Sequence, residues 1–167
     1  GGAIPGNFIP AVQKGVSEGM VKGPLAGFSV THVKSTVYDG SYHDVDSSEV
    51  AFKIAGSRAL REAMLNAKPV LLEPIMSVNV QIPDDCMGDI SGDLNHKRGR
   101  ILGVGAEEGM QVVEADVPQA ELFRYSAELR SMTGGRGTFE MTFSRYEQVP
   151  ANVTQKVIAA YKREDEE

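Results

Sequence analysis

The 167 residues, 41% of them apolar, suffice to bury one core or two small ones. No run of about 18 uncharged apolar residues occurs, and no basic flank precedes an apolar stretch at the amino end, so a cytoplasmic protein without a membrane span or signal peptide is expected. The single cysteine, Cys86, can make neither an internal disulfide nor a thiolate metal site, and it is expected as a small helix-surface residue; the formal charge of −6 argues against a general polyanion binder.

That total hides a split. Gly1–Leu72 carries 7 basic and 6 acidic side chains, Glu73–Pro150 carries 7 and 13, and Ala151–Glu167 carries 3 and 4, ending in an acidic run at Glu164–Glu167 that reads as a frayed, solvated end. Any contact with nucleic acid has to be local, made by a few placed side chains.

In chain order, Pro10 suits a helix first turn, and Val12, Val16 and Met20 recur every four residues until Gly23-Pro24 stops the pattern. Phe28 to Tyr38 is rich in valine and threonine, which predicts a strand ending in the turn Asp39-Gly40. Asp46 with Glu49 three positions on has the form of a capping box and opens a helix through about Asn66. Its small residues Ala55, Gly56, Ala59 and Ala63 allow close packing against a sheet. Lys68-Pro69 and Glu73-Pro74 break the chain and place a domain boundary near Leu72.

Beyond it, Met76, Val78, Val80 and Ile82 alternate with polar residues as in a half-buried strand, and Met87, Ile90 and Leu94 follow at helical spacing. Arg100–Gly105 and Gln111–Val117 flank the hairpin signal Glu107-Glu108-Gly109. Leu122, Tyr125, Ser126 and Leu129 form a second helical stripe, closed by Gly134-Gly135, and Phe139, Met141 and Phe143 alternate on a last strand. The order strand, helix, strand, strand, helix, strand is the ferredoxin-like plan, so the fold class is α+β. After Pro150, Val153, Val157 and Tyr161 predict a helix that packs back onto one of the domains.

The sequence carries no phosphate-cradling loop closed by Lys-Ser or Lys-Thr, no Gly-x-Ser-x-Gly elbow and no Ser/His/Asp order, so no catalytic residue is expected. Gly103-Val104-Gly105 with Gly109 has the wrong spacing for a dinucleotide fingerprint. Asp85, Asp89 and Asp93 at four-residue steps read either as a solvated helix face or as oxygen ligands for a hard cation; the solvated face is preferred and no metal site is expected. Lys97, Arg98 and Arg100 read as helix-end cations or phosphate contacts. His32 reads as a half-exposed residue of the first strand, and His96 as a surface cation or helix-dipole partner.

Two loops remain. Tyr38 to Asp46 gathers two tyrosines and His43 in one strand-to-helix connection, where rings can stack on bases or hydrogen-bond to a nucleic-acid backbone; an ordinary polar connection is the other reading. Leu129 to Gly137 sets Arg130 and Arg136 around a glycine-rich turn, which reads as a cradle for an RNA backbone, built from exposed amides, hydroxyls and guanidinium groups, or as a glycine helix cap with solvated arginines.

The motifs Tyr38–Glu49, Val50–Ser57, Leu72–Met76, Met87-Gly88-Asp89, Gly92–Asn95 and Leu129–Gly137, long and in family order, resemble bacterial elongation factor G over essentially the whole chain. The resemblance implies that residues 1–72 are the later part of the fourth domain, a truncated ribosomal-protein-like βαβ domain, that 73–150 are the ferredoxin-like fifth domain, and that 151–167 are a carboxy-terminal helix and tail. It implies that the family's GTPase domains, with their GTP and Mg²⁺, lie upstream, that no cofactor belongs to this part, and that the first strands of the fourth domain are absent here. It further implies that Asp39, Gly40, Ser41, Tyr42 and His43 meet the transfer RNA–messenger RNA duplex. Arg130, Ser131, Met132, Thr133 and Arg136 would meet the sarcin-ricin loop of large-subunit ribosomal RNA. The partners implied are the ribosome with its RNA and proteins, transfer and messenger RNA, and the upstream domains. A recycling-type paralogue carries similar motifs, and a metal- or metabolite-binding ferredoxin-like module is the alternative of another class.

Overall fold

A computed structural model describes residues 2–164, with the side chain of Glu164 outside the description, so the reading of Glu164–Glu167 as a frayed end lies outside the described residues. The elements in order are α1 (Ile9–Gly19), α2 (Glu49–Asn66), β1 (Leu72–Ile82), α3 (Met87–His96), β2 (Arg100–Glu107), β3 (Met110–Pro118), α4 (Tyr125–Thr133), β4 (Thr138–Gln148) and α5 (Ala151–Glu164), with 3-10 turns at Gly6–Phe8, Asp84–Cys86 and Gln119–Glu121. They fall into two compact units, one of residues 2–71 with 150–164 and the other of Leu72–Val149.

The first unit is built on α1 and α2. Pro10 lies in the first turn of α1, where its missing N–H costs nothing. The two helices approach closely because Gly15 faces the backbone of Lys53 and Gly56 faces Val12, where a Cβ would stand 2.7 Å from the Val12 carbonyl oxygen. Lys53 and Glu18 close the same seam with a 3.0 Å ion pair. Val12, Leu60, Met64 and Ala26 are buried. Helix α5 joins this unit through Tyr161, whose ring lies under Lys22 at 5.5 Å and against Gly27, which takes the left-handed φ of 70°.

Three expectations fail in this unit. Phe28–Tyr38 is irregular, bent at His32 with φ 58°, and belongs to no sheet: the Val30 N–H donates to the Met20 carbonyl at 2.7 Å and the Phe28 carbonyl accepts the Gly23 N–H at 2.8 Å, and among the described residues no strand pairs with the segment. The unit therefore has no strand among the described residues, and Ala55, Ala59 and Ala63 are exposed rather than covered. The helix cap is Ser48, not Asp46. Ser48 is extended at φ −146° and its Oγ accepts the Ala51 N–H at 3.1 Å, while Asp46 falls in the preceding turn.

The second unit is a four-stranded antiparallel sheet in the order β2-β3-β1-β4, with α3 and α4 on one face, the ferredoxin-like arrangement. Alternation in β1 and β3 sends Val78, Val80, Ile82, Val113 and Val117 inward against Ile90 and Leu94 of α3 and Tyr125 and Leu129 of α4. Phe139 of β4 meets the Tyr125 ring edge-on at 4.9 Å. Cys86 is buried in this cluster rather than lying on a helix surface, because the 3-10 turn at Asp84–Cys86 rolls its side chain inward, and burial pushes its thiol pKa up. Arg98 takes the left-handed region at φ 58°, held by a fork onto Glu73 at 2.6 and 2.9 Å and by Glu121 at 2.9 Å.

Candidate functional site

The first candidate loop lies in the first unit, between the irregular segment and α2. Asp39, Gly40, Ser41, Tyr42 and His43 are all exposed, and Tyr38 beside them is 94% exposed. The backbone is nonetheless fixed. Asp39 Oδ1 accepts the Gly40 N–H at 2.8 Å, the His43 N–H donates to Ser47 Oγ at 3.0 Å, and the Ser47 N–H donates back to the His43 carbonyl at 3.1 Å. The Tyr42 ring leans on Phe8 at 5.9 Å, and Phe8 stacks on Phe52 of α2 at 4.6 Å. A hydrogen bond to the Asp44 carboxylate raises the Tyr42 phenol pKa. The loop therefore presents an imidazole and one outward tyrosine, Tyr38, from a braced turn.

The second loop closes α4 in the second unit. Gly134 takes the left-handed cap at φ 59° and Gly135 follows at φ 81°, conformations that cost a residue with a Cβ. The amides expected to cradle phosphate face inward instead. Gly134 and Gly135 donate to the Arg130 carbonyl, Arg136 donates to the Thr133 carbonyl at 3.2 Å, and Gly137 donates to Thr133 Oγ1 at 2.8 Å. Thr133 is fully buried, its hydroxyl donating to the Leu129 carbonyl at 2.8 Å, so it shapes the turn and is not available to an outside partner. Met132 is half-buried against the core, which leaves it only an edge to offer. Arg130, Ser131 and Arg136 are exposed.

Charge pairing separates the cations of this unit. Lys97 bridges Asp93 and Glu128, each at 2.9 Å, Arg98 is clasped by Glu73 and Glu121, and Arg100 and Arg145 converge on the buried Asp116 at 3.2 and 3.0 Å. Arg136 forks onto Asp85, which holds that carboxyl below the usual carboxylate range. Arg130 differs: it folds back onto Ser126, Nε to the carbonyl at 3.3 Å and Nη2 to Oγ at 3.2 Å, and neither it nor Arg124 has a carboxylate partner among the described residues. Lys97, Arg98 and Arg100 are thus neutralised at home. Asp85 and Asp93 are paired with cations, and no group of three metal-ligating side chains occurs among the described residues.

His32 sits exposed at a left-handed bend, φ 58°, rather than in a strand, and the His96 ring bonds the Gly92 carbonyl at 2.9 Å within α3. Sequence reasoning missed Phe8 and Phe52 as the brace of the first loop and Asp85 as the partner of Arg136, 51 residues away. No local pattern signals contacts at that separation.

A family model described as elongation factor G, domain IV, matches residues 1–68, and one described as elongation factor G C-terminus matches residues 70–157. The chain belongs to the elongation factor G family. A solved structure from Thermus thermophilus is 44% identical over 98% of the chain, with a TM-score of 0.82, and the chain spans 25% of that protein's length. The first loop thus lies within the elongation factor G domain IV match and the second within the C-terminal match. Among the described residues no helix is long and apolar enough to cross a membrane.

Proposed function

We propose that this chain is the ribosome-contacting part of a cytoplasmic elongation factor G, acting by shape and placed charge without making or breaking bonds. Asp39 to His43 meet transfer and messenger RNA in the decoding region, and Arg130, Ser131 and Arg136 meet large-subunit RNA at the sarcin-ricin loop. GTP chemistry belongs to other domains of the longer protein, and this part biases which ribosomal state is populated by binding one state better than another. Family membership supports the ribosome as partner. The observation that carries the assignment of the first loop is that its polar and aromatic groups are exposed while the Gly40 N–H and the His43 N–H and carbonyl are held by local hydrogen bonds and the Tyr42 ring leans on Phe8, which lowers the ordering entropy that opposes binding.

His43→Ala in the full-length factor tests the reading. Translocation is expected to slow about tenfold or more, as for loss of a well-placed polar contact, while ribosome-stimulated GTP hydrolysis stays near wild type. Equal loss of both activities contradicts the role.

A further inference from the structure

Of the two arginines of the second loop, Arg136 is the one whose guanidinium is held by a carboxylate. Its Nη1 lies 3.3 Å from Asp85 Oδ1 and its Nη2 3.0 Å from Oδ2, a bidentate arrangement in which two carboxylate oxygens stand where two phosphate oxygens would. Nε donates to the Thr133 carbonyl at 3.0 Å, so the buried threonine that shapes the turn also aims the guanidinium. We infer that Asp85 is an intramolecular stand-in for phosphate, competing with RNA for Arg136 and thereby setting how tightly this loop binds. The inference rests on the reading that the loop meets an RNA backbone.

Exposure singles out this pair. Arg136 and Asp85 side chains are 54% and 65% exposed, whereas among the described residues every other ion pair of this unit has at least one partner under 40% exposed. At that exposure water screens the Asp85–Arg136 pair, and a phosphate presents the same fork with the same two-oxygen geometry, so it can replace the carboxylate at small cost. The clasps on Arg98 and Lys97 are shielded and hold structure. Asp85 belongs to the 3-10 turn before α3 and Arg136 to the link after α4, so the carboxylate is supplied from outside the loop it regulates. On this account Arg130 makes the standing contact, and Arg136 joins it only after leaving Asp85.

The test measures binding of the full chain to isolated large ribosomal subunits over a salt series, for wild type, Asp85→Asn, Arg136→Gln, the double variant and Arg130→Ala, with thermal melts to establish that each is folded. Asp85→Asn is expected to bind about two- to fivefold tighter, the scale of an exposed ion pair, and its log–log salt dependence is expected to steepen by about one phosphate contact. The double variant is expected to match Arg136→Gln, because Asp85 acts through that guanidinium alone. Unchanged or weaker binding by Asp85→Asn overturns the inference and leaves the binding reading standing if Arg130→Ala still loses affinity. Tighter binding that persists in the Arg136→Gln background also overturns it, since that is general charge relief. No salt-dependent binding by any variant overturns the inference and the reading together.

Discussion

Thr133 shows how one side chain changes what a loop can do. The motif around it reads equally as a phosphate cradle or a helix cap, and the buried hydroxyl decides between them by taking the Gly137 amide and bonding the Leu129 carbonyl. What remains outside is side-chain chemistry, chiefly the Arg130 guanidinium. Ser48 is the comparable residue of the first loop, since it caps the helix that follows. Ser48→Ala is expected to lower stability by about 1 kcal/mol, read as a shift in denaturation midpoint, whereas Asp46→Ala should leave the midpoint within about 0.5 kcal/mol of wild type, as for an ordinary surface change. A larger effect at Asp46 than at Ser48 contradicts the observed cap. The capping box misled because Asp46 and Glu49 satisfy the spacing, but Asp46 lies inside the turn closed from Ser47 onto His43, which moves the helix start past it.

At the scale of elements, the second unit was legible because each of its strands and helices carries its own period and finds its partner within the unit. Val78, Val80 and Ile82 announce a strand, Ile90 and Leu94 a helix, and both bury fully where those spacings point. Leu94→Ala is expected to cost about 2–5 kcal/mol, measured by chemical denaturation; a cost under about 1 kcal/mol would mean that α3 does not seal the sheet. Phe28–Tyr38 carries an equally good strand composition, yet composition records only what a segment fits against. Hydrogen bonds to a neighbouring strand make a strand, and among the described residues no strand is alongside. Cys86 was misplaced for a related reason, since helical spacing gives no account of a 3-10 turn that rolls a side chain inward.

For the molecule as a whole, net charge is a poor guide to function. The chain is acidic at −6, yet most of the carboxylates around the sheet neutralise neighbouring cations, and Arg130 is left with uncompensated charge beside an exposed serine. On the proposed reading, two surface loops in separate units, one within each family match, each meet a different RNA. Cys86 is buried and its thiol pKa is raised, which disfavours its labelling, so with any cysteines outside this chain replaced, cysteines placed at Ser41 or Ser131 can each carry an iron chelate that cleaves nearby RNA. Bound to ribosomes in the full-length factor, Ser41→Cys is expected to cut RNA of the decoding region and Ser131→Cys to cut large-subunit RNA at the sarcin-ricin loop. Cleavage from neither position, or of the same strand from both, would contradict the account.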